Sequence, residues 1–579
     1  MNHHRAAKEH GVLFSLGGVA VTFLTAALCF RFYYQLNDDV VIKDLLSGAY
    51  TGSPQGYTNQ LLFPLGAVLG ALYGVFRDAP VFALSLLACF GLSFLLLGIR
   101  SCSYYHSRIT KAGVILLETG VFLTLYLWEL IYVQYSVVCG TLMATACFWF
   151  YTTDSEEEGR FWLDNLPALL LVWLAFGFRS EMALMLSPFA AVAGLWHWGS
   201  RRGRVPFRRY LFFAMAMFAG CVLLLAGDIA AHSGKEWKEY RAFFDARTRV
   251  YDYTWYPSYE EAGAYYESIG MSENQYELMD SYNFAVDPEI DSGMLESVAD
   301  YGERARHQGS LPQRLRAGVW ELWHRTVSPV DAPYNYFVLT AYALVVGLAL
   351  VGRKKEYIWR LLLLALARVV PWMYLILAGR VVERISHPLY FTEFVLLMAL
   401  LARELRDRPL WNPEKLYRRF AFCVLAILIA VTGKERFDTV HSEQLRREEI
   451  NRTMDAFREY ARSKPDSYYF MDVYSTVAYS EPLFDANTNT WKNYDLLGGW
   501  VCHSPLQKEA LTKFIGVPLG VDEALLTDSV FLVIRADRTA DSILRYYEEQ
   551  GKRIQLAEEE RIGEGTDSLV VYRLEEEES

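Results

Sequence analysis

Two adjacent carboxylates, Asp38 and Asp39, follow the aromatic segment Arg31-Phe32-Tyr33-Tyr34 that ends the first long apolar run. At a bilayer surface such a pair repels itself and is costly to desolvate, so it needs a cation, a hydrogen-bond donor or a shared proton. It suits a general base that takes a proton from an acceptor hydroxyl, and it equally suits a pair of ligands for a divalent cation. Asn37-Asp38-Asp39 also reads as a turn and helix cap opening the segment Val40 to Leu46. Far along the chain, helical spacing puts Arg380 and Arg384 on one face of the segment from Gly379 to Pro388. A guanidinium is a planar fork that matches phosphate oxygens. Arg179, Glu181, Arg380, Arg384 and His387 therefore form a candidate substrate-binding set. As interfacial anchors the arginines would instead pair with Glu181 and Glu383.

What must position these groups is a membrane. Apolar runs long enough to cross a hydrocarbon core of roughly 30 Å begin near Gly11, Pro80, Ala112, Ser136, Leu163, Met182, Tyr210, Tyr336, Ile358, Pro388 and Tyr417. The expectation is a polytopic α-helical membrane protein with about eleven spans. Gly11 to Phe30 follows Arg5 and Lys8, has the length of a full span and lacks a small-residue cleavage site, so it reads as an uncleaved first helix. The shorter stretch Leu61 to Phe76 decides parity. If it does not span, Arg100, Arg108 and Lys111 fall inside, with Arg201, Arg202, Arg204, Arg208 and Arg209, then Arg353 to Lys355, then Arg403 to Arg419. The loop carrying Asp154, Glu156, Glu157 and Glu158 also falls inside, and acids weigh little in that rule. The candidate site residues then share the outer side with Asp228, with a loop spanning Ala231 to Asn335, and with the carboxy-terminal domain.

Glu118 and Glu129, eleven apart, read as one face of span three, with Arg368 and Glu393 deeper along the chain. Pairs such as Glu118 with Arg368 would fix helix packing or line a proton path. The outer loop carries thirteen aromatic residues between Trp237 and Tyr282 among carboxylates, a composition suited to stacking on sugars or to an amphipathic cap. After Val431 the pattern alternates helix and strand, predicting a small soluble α/β domain over 434–579 behind a membrane domain over 1–433 that includes juxtamembrane helices at 38–76. Leu497-Gly498-Gly499-Trp500 reads as a working surface loop. The net charge is -11, with the excess acid late in the chain and no basic stripe, which excludes nucleic acid as a partner. The eight cysteines show no pairing framework or metal spacing.

The carboxylate pair just outside span one, the juxtamembrane stretch Asp44 to Tyr73 and the many spans resemble the GT-C superfamily of membrane glycosyltransferases. Asn37-Asp38-Asp39 with Ser47 to Gln55, Phe63-Pro64-Leu65-Gly66, Tyr251-Asp252-Tyr253 and Leu497-Gly498-Gly499-Trp500 look like bacterial envelope proteins of that type. The resemblance implies inverting transfer of a sugar from a polyprenyl-phosphate donor to a glycan or lipid acceptor outside the cell membrane. Asp38 or Asp39 would be the base, and the arginines would hold the lipid phosphate. The tail shows no W-W-D-Y-G motif, so peptide is not the expected acceptor. Two other classes fit parts of the pattern: a transporter or lipid-linked sugar flippase, motivated by the intramembrane charges, and a non-catalytic envelope assembly protein acting through the tail.

Overall fold

The structure is a computed structural model. It describes residues 2–35, 37–154, 158–202, 204–306, 310–406, 412–485 and 489–577, and their side chains except at 2–9, 158, 159 and 306. The chain opens with α1 (Asn2–Cys29), the two-residue strand β1 (Tyr33–Tyr34), α2 (Asn37–Ser47) and α3 (Phe63–Val75). The 13 residues of α3 extend about 20 Å at 1.5 Å per residue, short of a bilayer core. There follow α4 (Val81–Cys102), α5 (Arg108–Leu125), α6 (Leu127–Ile131), β2 (Tyr132–Val133), α7 (Tyr135–Thr152), α8 (Glu158–Phe178), α9 (Ser180–Met185), α10 (Ser187–Ser200) and α11 (Phe207–Ala231).

The segment 231–335, expected as a loop, is a helical cap. It comprises α12 (Lys235–Thr248), a π-turn at Arg249–Tyr253, α13 (Tyr259–Ser268), α14 (Glu273–Asp280), α15 (Ser292–Arg306) and α16 (Leu311–Val327). The chain then returns to the bundle through α17 (Tyr334–Val351), α18 (Glu356–Ala378), α19 (Glu383–Glu404) and α20 (Asn412–Ser463). Among the described residues, α1, α4, α8, α11, α17, α18, α19 and α20 are the eight helices long and apolar enough to cross a membrane.

The other three expected spans are helical but differ in kind. α5 stops at Tyr126 (φ -109, ψ 3), and the chain restarts as the short α6, so Glu118 and Glu129 do not share one helix face. α7 is the centre of the bundle, buried on every side, and its small residues admit close neighbours: a Cβ at Gly140 would fall 2.3 Å from Pro388 Cβ of α19. The run from Met182 breaks at Leu186, just before the Ser187-Pro188 start of α10, because proline is favoured in a helix's first turn and disfavoured further in.

The basic segments gather at one end of the bundle. Arg201 pairs with Asp154, while Arg406 Nη1 and Arg403 Nη2 lie 3.6 and 3.9 Å from the same carboxylate. Arg100 donates to the Thr152 carbonyl, and Arg108 meets His10 at 2.6 Å. An acid sits in this loop because it bridges arginines from several others. Glu156, Glu157 and Arg408 lie outside the described residues.

α20 is one helix of 52 residues that leaves the bundle and becomes the first helix of the tail, so residue 433 falls inside a continuous element. Beyond it stand β3 (Tyr468–Met471), β4 (Tyr494–Leu496), α21 (Pro505–Ile515), α22 (Val521–Ala524), β5 (Val530–Arg535), α23 (Asp541–Glu549), β6 (Ile554–Ile562) and β7 (Leu569–Glu576). The sheet order is β4-β3-β5-β7-β6, with β3 parallel to both neighbours and β7 antiparallel to both of its own. This is the small α/β unit that the alternation of periods predicts. Its core is not its own. Phe243, Tyr266, Phe284 and Val286 from the cap pack in the same cluster as Phe470, Leu532 and Ile543 from the sheet.

Candidate functional site

The exit of α1 is fixed by backbone pairing. β1 runs parallel to β2, and the Tyr34 amide donates to the Glu481 carbonyl of the tail at 2.9 Å. α2 starts directly after this strand, which sets Asp38 and Asp39 at the junction of bundle, cap and tail. Successive helical residues diverge by about 100°, and the two carboxylates differ accordingly. Asp39 is fully buried, and its Oδ1 accepts the Tyr135 amide at 3.1 Å. The first amides of a helix have no intrahelical acceptor, so Asp39 fastens the start of α7, beside Gln134, whose Oε1 accepts from Ser136 and Val137. Asp38 is half-buried, and its charge acts on Arg179 and Arg247.

Arg179, the residue linking α8 to α9, donates to the Tyr135 hydroxyl and lies 5.3 Å over that ring. Its bond to Glu181 is loose at 3.7 Å, and Glu181 is 72% exposed, so solvent screens that pair. The charges that act most on the Tyr135 hydroxyl are Arg179, Asp38, Asp39 and Arg384. The π-turn lowers Asp252 and Tyr253 onto the same place. Arg380 Nη1 is 2.9 Å from Asp252 Oδ2, its guanidinium lies 4.6 Å over the Tyr253 ring, and Tyr253 stands in the field of both Arg380 and Arg179.

Arg247 of α12 completes the group. Its Nη2 donates to the Tyr282 hydroxyl at 2.6 Å, its guanidinium lies 5.2 Å from the Tyr282 ring, and the carboxylates in its field are Asp252 and Asp38. Tyr282 holds φ at +67°, a left-handed conformation costly for a bulky residue and maintained only where surroundings impose it. The imposing element is the tail loop. A Cβ at Gly498 would fall 1.9 Å from the Tyr282 carbonyl oxygen, and the Ala285 amide donates to Leu497 O at 2.9 Å. Leu497-Gly498-Gly499-Trp500 thus braces the cap residue that holds Arg247.

The structure gathers Asp38, Asp39, Arg179, Glu181, Arg380 and Arg384 around Tyr135 and Tyr253. It withdraws His387, which is buried, bonded through Nδ1 to Glu129 Oε1 at 2.7 Å and stacked on Tyr334 at 4.1 Å. Arg368 pairs with Glu393 rather than Glu118, and Tyr342 donates to Glu393 at 2.7 Å. The Arg368–Glu393 and His387–Glu129 pairs are matched locally and tie helices together.

Arg247, Tyr135 and Tyr282 escape a reading by sequence spacing. The one cue for Arg247 is its spacing of four residues from both Phe243 and Tyr251 in an aromatic run. A second cluster is equally invisible in sequence. Lys43 of α2 contacts Asp44 and Glu481, each at 2.6 Å, and Lys492 reaches Asp44 at 2.5 Å and Glu481 at 3.1 Å. Arg458 lies 3.6 Å from Glu481. Burial opposes the charge on Glu481, but Lys43, Lys492 and Arg458 hold its carboxyl well below the usual range. This network locks α2 to the tail.

Among the described residues no three His, Cys, Asp or Glu side chains are grouped to hold a metal ion. No family model, curated protein or solved structure matches this chain.

Proposed function

We propose that the chain is a membrane glycosyltransferase of the GT-C type, moving a sugar from a polyprenyl-phosphate donor to a glycan or lipid acceptor on the extracytoplasmic side of the cell membrane, with inversion. The observation that carries this reading is the convergence of Asp38 with Arg179, Arg247, Arg380 and Arg384 beneath an aromatic cap, at the end of the bundle away from the Asp154 cluster. Asp38 takes the proton from the acceptor hydroxyl, whose oxygen attacks the anomeric carbon. The bond from that carbon to the phosphate oxygen breaks, and the polyprenyl phosphate leaves with the bonding electrons. Its growing negative charge falls among guanidiniums already in place, a preorganised field that needs no rearrangement during reaction. Asp39 positions α7 and with it Tyr135.

The test uses the purified chain in nanodiscs, supplied with polyprenyl-phosphate-linked hexoses and an envelope glycan extract, with release of polyprenyl phosphate as the readout. Asp38→Asn keeps the shape of the side chain and removes its basicity, so release should fall by roughly 10²- to 10⁴-fold. Undiminished release by Asp38→Asn would overturn the assignment.

A further inference from the structure

α16 of the cap does not lie over the bundle but runs down its side. Residues Gln313 to Glu321 meet Ile376 and Leu377 at the end of α18, Gly318 faces Met373 and Ile376, and Thr326 accepts from Arg368 at 2.9 Å. The two helices are therefore antiparallel, and α16 descends along the outer half of α18. A Cβ at Gly318 would lie 2.7 Å from Met373 Cε, so this close approach depends on glycine.

Leu315, Val319 and Trp323 follow one another at intervals of four, on one stripe, and are 41%, 59% and 64% exposed. Trp320 beside them is 63% exposed. Such a stripe is stable only against hydrocarbon, and tryptophan prefers the boundary where hydrocarbon meets headgroups. From Arg316 to Trp323 the helix falls about 10 Å, comparable with the depth of one leaflet's hydrocarbon, roughly 15 Å.

On the other face of α16, against α18, lies a cavity of about 790 Å³ lined by Gln313, Arg314, Arg316, Trp320, Glu321 and Leu377, among others. Its charges do not cancel. Glu321 is taken by Arg325 at 2.9 Å, and Arg325 also reaches Asp331 at 3.2 Å. Among the described residues neither Arg314 nor Arg316 has a carboxylate partner. Two uncompensated guanidiniums thus stand where a headgroup would, beside the apolar Ala317, Ile376 and Leu377, where an acyl chain would lie.

We infer that the α16–α18 cavity is a binding site for an anionic phospholipid of the bilayer, with Arg314 and Arg316 on its phosphate and Ala317, Ile376 and Leu377 along its chain. Gln313 supplies a further donor to the headgroup, and the Trp320 ring lies at headgroup level. The site is separate from the Asp38 centre and does not depend on transfer chemistry. It would steady the cap against the bundle through a lipid of one charge class.

The test reads Trp320 emission as the difference between the full chain and Trp320→Phe, in phosphatidylcholine nanodiscs. The discs are doped with brominated phosphatidylglycerol or, at equal mole fraction, brominated phosphatidylcholine. Two arginines beside the headgroup should enrich the anionic quencher roughly fivefold or more at low salt, and Arg314→Gln with Arg316→Gln should abolish the preference. Equal quenching by the two lipids would overturn the proposal, and so would a preference that survives in the double variant. Polyprenyl phosphate that displaces brominated phosphatidylglycerol at equimolar ratio would give the cavity to the transfer donor instead, which also overturns it. If the double variant does not fold, as judged by gel filtration, the comparison of the two lipids on the unmutated chain decides alone.

Discussion

Arg247 of the cap lies in the field of Asp38 and is held by the Tyr282 hydroxyl and by two aromatic faces, at 5.9 Å over Tyr251 and 5.2 Å over Tyr282. A guanidinium fixed in this way costs little to orient when charge develops nearby, whereas a lysine ammonium would be a flexible point charge without the planar stack. Arg247→Gln should therefore lower sugar transfer by about 10- to 100-fold while leaving the melting temperature close to that of the unmutated chain. Arg247→Lys should recover little of the loss. Steady-state transfer rates with parallel thermal melts check this, and a silent Arg247→Gln would remove the residue from the mechanism. Asp39 differs from its neighbour at the same scale. Its bond to the Tyr135 amide gives it a structural duty, so its replacement should act on folding and activity together.

At the scale of elements, the contact between α2 and the tail rests on buried ions rather than on apolar area. Glu481 is fully buried and is shared by Lys43, Lys492 and Arg458. Removing one member of a buried ionic group leaves the others uncompensated, a larger penalty than the net worth of the group itself. Glu481→Gln should thus destabilise the chain by on the order of 3–5 kcal/mol, visible as a lowered melting temperature and as easier proteolysis between α20 and the sheet. Melting unchanged by Glu481→Gln would show that solvent reaches the network. The brace at Gly498 belongs to this scale too, since it lets the tail set the backbone of Tyr282.

At the scale of the whole molecule, cap and tail share one core, and acid should part them. His503 of the tail sits edge-on to Phe243 of the cap at 4.6 Å. Burial, helped by Lys508, pushes its pKa from 6.5 down to about 4. The folded state therefore binds fewer protons at this site than the unfolded state between those values. Its stabilising contribution is complete above pH 6.5 and is lost as pH falls toward 4, by about 3 kcal/mol in total. Glu481, held low in the folded state, acts in the same direction at still lower pH. Melting temperature followed from pH 8 to pH 4 should fall mainly below pH 6.5, and His503→Gln should flatten that part of the curve. A profile unaltered by the substitution would sink this account.

Sequence alone determines the elements whose cause is local. Apolar runs give the long helices, the change of period after Val431 gives the α/β tail, and the bias of arginine and lysine among the short segments groups Arg100, Arg201 and Arg403 at one end. Asp38, Arg179, Arg380 and Arg384 are legible because each lies at the end of an apolar run, and runs of similar length bring such ends to the same level. Only the tertiary structure decides which neighbour each charge meets. His387 goes to Glu129, Arg368 to Glu393, Arg247 to Tyr282, and Lys43 to a glutamate 438 residues away. Those pairings depend on which helices pack side by side and on the turn of each about its own axis. Residue spacing within a single segment carries no record of either.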